Sequence, residues 1–126
     1  MIIKTSQIGL YDGIDVTRKS SSYELRGLTP HWDMIKNFKS GLLSRENYTR
    51  LYLDILQTFD GELAVERLVV RIKKEGLRIL LCYCKPGAFC HRVLLARHLE
   101  QFGLEYGGEM GLADFPFDDP PPSSGN

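Results

Sequence analysis

The segment from Leu77 to Gly103 does most to decide what this chain can fold into. Leu77-Arg78-Ile79-Leu80-Leu81-Cys82-Tyr83 is its strongest β-strand signal, apolar enough to lie centrally in a sheet. Lys85-Pro86-Gly87 turns the chain. Cys90 to Phe102 then reads as a helix, with Val93, Leu94, Leu95, His98, Leu99 and Phe102 mostly apolar and Gly103 closing it. A buried strand that hands directly to a helix calls for helices layered on a sheet.

The remaining segments fit that layering. Ile2-Ile3 opens a first strand ending near Gly9, and Ile14-Asp15-Val16-Thr17 suits a short second strand after the Tyr11-Asp12-Gly13 turn. Arg18 to Ser22 reads as a polar loop. Thr29 as N-cap and Pro30 at the first helical position predict a helix carrying Trp32, Ile35 and Phe38 and stopping at Gly41. Ser44 starts another, with Tyr48, Leu51, Tyr52, Ile55 and Leu56 in a stripe. Asp60-Gly61 reads as a break before a helix from Glu62 to Glu75, capped by Gly76. Trp32, Tyr48 and Tyr52 are expected in the core. The expected architecture is α/β: a single small three-layer domain over 1–112, with a short, mainly parallel sheet and flanking helices. A Gly-, Asp- and Pro-rich tail, 113–126, is expected to be disordered.

Composition narrows the function. Among 126 residues, sixteen basic side chains balance sixteen acidic ones, so no general basic field favours nucleic acid. No apolar run is long enough to cross a bilayer. Met1 to Thr5 lacks a leader pattern, and the three cysteines, all within 82–90, form no disulfide framework. These features lead to the expectation of a cytoplasmic protein without a membrane partner.

The chemistry-bearing residues gather in the strand–turn–helix. Ligands of α/β sheets sit beyond the carboxyl ends of strands, where the turn 82–92 falls. A helix starting near Cys90 turns its free N–H groups toward that space, and Arg92 in its first turn can hold a phosphate or carboxylate, or pair with an acid such as Asp15. Cys90, at a helix N-terminus beside His91 and Arg92, has the surroundings of an activated thiol. The phosphatase loop, with Arg six positions after Cys, is not met: that position is Ala88 from Cys82 and Cys90 from Cys84. Cys82, Cys84, Cys90 and His91 can also supply a tetrahedral zinc set, although the spacing lacks the usual separated knuckles. Cys82 in an apolar strand is equally a small core residue. Tyr83 and Phe89 beside the turn suit either stacking on a base or packing.

Leu80-Leu81-Cys82-Tyr83 followed by Lys85-Pro86-Gly87-Ala88-Phe89-Cys90-His91-Arg92 resembles the signature of the domain-of-unknown-function family 488, found in bacteria and phages. Lys4-Thr5-Ser6, Asp15-Val16-Thr17-Arg18, Leu28-Thr29-Pro30 with Trp32, and Tyr48-Thr49-Arg50-Leu51-Tyr52 are similar to further segments of that family, so that the resemblance spans roughly residues 2–105. Many members carry Glu where this chain has Cys84. The resemblance implies Cys82, Cys90, His91, Arg92 and Asp15 as site residues.

The reading that follows is a domain that binds a small anionic, nucleotide-like ligand, with transfer or hydrolysis as the reaction class if it is an enzyme. Cys90, His91 and Asp15 form the expected catalytic group. Arg92, Cys82, Arg18, Lys19, Tyr83 and Phe89 are expected to contact the ligand. No cofactor is expected in this reading. The alternatives are a non-catalytic, phage-type protein that sequesters a signalling nucleotide, and a zinc-stabilised interaction module using Cys82, Cys84, Cys90 and His91.

Overall fold

The computed structural model describes residues 1–110; the tail expected from 113 lies outside them. The strands are β1 (Ile2–Gln7), β2 (Ile14–Asp15), β3 (Ile79–Cys82) and β4 (Glu105–Glu109). The helices are α1 (Trp32–Lys39), α2 (Arg45–Leu56), α3 (Phe59–Glu75) and α4 (His91–His98), with 3₁₀ turns at Tyr23–Leu28 and Leu99–Phe102. This is a small α/β domain. Its four-stranded sheet runs β2-β3-β1-β4, with β1 parallel to both neighbours. Among the described residues, no helix is long and apolar enough to cross a membrane.

Where the sequence shows no boundary, contacts group the chain into two compact units. Among the described residues, one is built from Met1–Ile14 and residues 78–110; the other is Asp15–Leu77. In the first, Ile3, Leu80, Leu81, Leu95, Ala96, Leu99 and Leu104 are buried as α4 packs on β1, β3 and β4. Strand β4 was not expected, because Gly107-Gly108 weakens its strand signal. The pairing Ile3↔Tyr106 and Thr5↔Glu109 sets three residues of β4 against two of β1. This bulge places Gly108 at φ 105° and Gly107 against the Ile2 side chain, positions where a Cβ is strained or crowded.

The second unit is helical, with Leu25, Leu28, Tyr52, Leu56, Ala64, Val65, Leu68 and Ile72 as its core. The Tyr52 hydroxyl donates to the Leu28 carbonyl at 2.7 Å, in the interior. Ser44 caps α2 through the Asn47 N–H, and Gly76 ends α3 with φ 73°. Three expectations need correction. Thr29 and Pro30 do not start α1: the Thr29 hydroxyl and N–H both donate to the Arg26 carbonyl, closing the preceding 3₁₀ turn, and His31 is the N-cap. Trp32, at the very start of α1, is half exposed rather than buried; Tyr48 and Tyr52 are buried.

Asp60-Gly61 is the third correction, since it is no break. Thr58 caps α3 by accepting the Gly61 N–H at 3.0 Å, and Gly61 lets the first turn lie against the end of α2. A Cβ there would stand 2.0 Å from the Ile55 carbonyl oxygen, a backbone atom with little room to yield. Gly61→Ala should therefore destabilise the protein by about 2 kcal/mol, despite alanine's better helix propensity. An unchanged denaturant midpoint would show that α2 and α3 can part there freely.

Candidate functional site

Parallel pairing aligns Gln7 with Cys82, so β1 and β3 end together. The Ile8 N–H donates to the Cys82 carbonyl at 2.8 Å, and the Gln7 side-chain amide donates to the Tyr83 carbonyl at 3.3 Å. These bonds fix the strand end from which the 83–89 loop departs. At its far end, Cys90 is the extended N-cap of α4 and does not cap with its thiol, leaving the sulfur for other partners.

The sulfur turns toward Cys82 and His91. The His91 Nδ1 lies 3.7 Å from the Cys90 Sγ and 4.0 Å from the Cys82 Sγ. The ligating atoms of Cys82, Cys90 and His91 all fall within 4.8 Å of one another, and all three residues are buried. Cys84, on the same turn, is half-buried and lies outside this group of three atoms. Among the three thiols, Cys82 is the one whose ionised form its neighbours favour. The Cys84 and then the Cys90 thiols hydrogen-bond to it and bring its pKa down against the cost of burial, with His91 assisting. The same interactions push Cys90 and Cys84 up, each chiefly through Cys82. A cysteine whose ionised form is favoured in this way can serve as a nucleophile or as a soft ligand.

Arg92 sits differently from the expectation. Its side chain is fully buried, with its guanidinium paired inside the protein. The guanidinium donates from Nε to the Glu109 Oε1 at 2.9 Å and from Nη2 to the Glu109 Oε2, a bidentate pair. Its Nη1 donates to the Cys84 carbonyl at 2.9 Å and its Nη2 to the Lys85 carbonyl at 3.1 Å. Arg92 is thus a positioning residue that holds the loop by its carbonyls. Burial disfavours its charge, but the Glu109 hydrogen bonds together with the negative charge of Glu109 and of the nearby cysteines outweigh this and raise its pKa further. Glu109 also accepts from the Thr5 hydroxyl at 2.6 Å and the Gly87 N–H at 3.0 Å, and Thr5 shares a 2.7 Å hydrogen bond with the Tyr106 hydroxyl.

Sequence reasoning missed Glu109, Thr5 and Tyr106. The signal available was the need of Arg92, at a helix N-terminus, for an acidic partner; Asp15 was the candidate named, and the partner is Glu109. Asp15 is engaged locally, its Oδ1 accepting from the Thr17 N–H and hydroxyl at 2.8 and 2.7 Å and its Oδ2 from the Ser20 hydroxyl. Arg18 donates to the Thr29 hydroxyl at 3.2 Å and lines a cavity of about 380 Å³ in the helical unit with Arg26, His31 and Asp60. Lys19 is exposed. In the loop, Tyr83 is 48% exposed and Phe89 half-buried.

A profile of the DUF488-N3a family, described as the active DUF488-N3 subclade, matches residues 8–103, a span that includes the whole strand–turn–helix. No curated protein and no solved structure matches the chain.

Proposed function

We propose that this chain, which belongs to the DUF488-N3a family, is an enzyme that binds an anionic, nucleotide-like substrate over the 83–89 loop and acts on it by transfer or hydrolysis from the Cys82–Cys90–His91 centre. The observation that carries the reading is the convergence of two buried sulfurs and an imidazole nitrogen at the carboxyl ends of parallel strands. Open α/β sheets place their ligands there.

The supporting shell fits this use. Holding reacting groups in one geometry is a large part of catalysis, and here a buried ion pair braces the loop that joins the two cysteines. With Arg92 spent on Glu109, the ligand's charge falls to the exposed Lys85 and to the N–H groups opening α4. The exposed Tyr83 ring offers a stacking face for a base. The family description, an active subclade, agrees with turnover.

Thermal shift with nucleoside mono-, di- and triphosphates tests binding. At a concentration about 100 times Kd, a true ligand adds about 2.7 kcal/mol of stability. Tyr83→Ala should weaken that binding by about tenfold, the loss of one stacking contact. Chromatography of the incubated nucleotide then reads the reaction. A panel without any stabilising nucleotide would remove the ligand class, and nucleotide bound but recovered unaltered would leave a sequestering protein instead of an enzyme.

A further inference from the structure

The same centre has a property that thiol chemistry alone does not explain. Two sulfurs converge on one nitrogen: the His91 Nδ1 is 3.7 Å from Cys90 and 4.0 Å from Cys82. Two soft sulfur atoms and an imidazole nitrogen, all buried and within 4.8 Å of one another, thus face a common point that a single cation can occupy. Tetrahedral zinc, at about 2.3 Å from sulfur and 2.0–2.1 Å from nitrogen, sets S···N edges of about 3.5–3.6 Å. The observed spacing reaches that by shifts of a few tenths of an ångström.

We infer that Cys82, Cys90 and His91 form a binding site for one thiophilic divalent ion of the zinc class. Two thiolates and an imidazole select such a metal over magnesium or calcium, which prefer oxygen. The ligands come from the end of β3 and the start of α4, both fixed elements, and the intervening loop is clamped by Arg92. Cys84, half-buried, lies outside this group of three ligand atoms, which leaves a fourth position for a displaceable group. Three protein ligands with a fourth position shared by a displaceable group is the composition of catalytic rather than purely structural zinc. The inference rests on this centre being the working site, and supplies it with a Lewis acid in place of a bare thiolate.

The test uses the full chain, purified under reducing conditions without chelator. Elemental mass spectrometry should find about one zinc per chain. After metal removal, Co²⁺ should titrate in with thiolate-to-cobalt charge-transfer absorption and the visible bands of a tetrahedral site. Cys90→Ser and His91→Asn should each lose stoichiometric metal, whereas Cys84→Ser should retain it. Substoichiometric zinc in the wild type, together with cobalt spectra lacking the charge-transfer band, overturns the site whether or not any variant folds. Turnover by metal-free protein also overturns it, but leaves the enzyme reading standing. Stoichiometric metal in a protein that alters no nucleotide upholds the site and sinks the enzyme reading.

Discussion

Glu109→Ala will destabilise this protein by about 3–5 kcal/mol, among the largest effects of any single substitution, because it strands the Arg92 guanidinium as a buried and uncompensated charge. Arg92 has no exposed side-chain surface and Glu109 has 8%. The carboxylate also satisfies the Thr5 hydroxyl and the Gly87 N–H, so its removal takes the acceptor from four donated hydrogen bonds, two of them from Arg92. The matched double variant Arg92→Met with Glu109→Leu removes both charges and should recover much of the loss. Chemical denaturation measures both; a Glu109→Ala midpoint equal to wild type would mean that the pair contributes nothing.

The same pair predicts an acid limb. Burial pushes the Glu109 carboxyl upward, but hydrogen bonds from Arg92, Thr5 and the Gly87 N–H outweigh burial and hold it below its ordinary value. A folded pKa below the unfolded one means that the contribution is fully present above the unfolded carboxylate pKa of about 4.3 and is lost as pH falls through the folded value. Stability of the wild type should fall on acidification below that point, with a shallower fall in the double variant. Equal acid limbs would assign the loss to other carboxylates.

Local chemistry made much of this fold legible. The caps at Ser44 and Gly76, the turn at Lys85-Pro86-Gly87 and the strand–helix succession around it are set by neighbours in the chain, and the structure has them where the residues indicate. What was hidden depends on partners distant in sequence. Gly61 looks like a breaker until the Ile55 carbonyl is placed against it. Gly107 and Gly108 dilute the strand signal of β4, yet they make the bulge that brings Glu109 opposite Thr5 and onto Arg92. An arginine at a helix N-terminus announces that it needs an anion, but only the register of β4 reveals that the anion belongs to the protein. The thiol–imidazole cluster was readable as a set of residues; its closeness depends on how the loop folds back.

Cys82→Ser should cost about 10³-fold or more in turnover while leaving the fold in place. Serine is nearly isosteric, so the end of β3 and its pairing with Gln7 persist. Its hydroxyl, however, neither ionises near neutral pH nor replaces a thiolate on a soft metal. The loss is therefore expected whether the centre works through sulfur or through an ion that sulfur holds. Cys84→Ser supplies the contrast: the residue is half-buried and lies outside the tight group of three ligand atoms, so turnover should stay within about tenfold of wild type. The measurement is kcat/KM for the proposed nucleotide reaction, with far-ultraviolet circular dichroism to verify folding. Folded Cys82→Ser protein with wild-type kcat/KM would show that the chemistry is done elsewhere in the chain, since no other group within this cluster can replace what the Cys82 sulfur supplies to both His91 and Cys90.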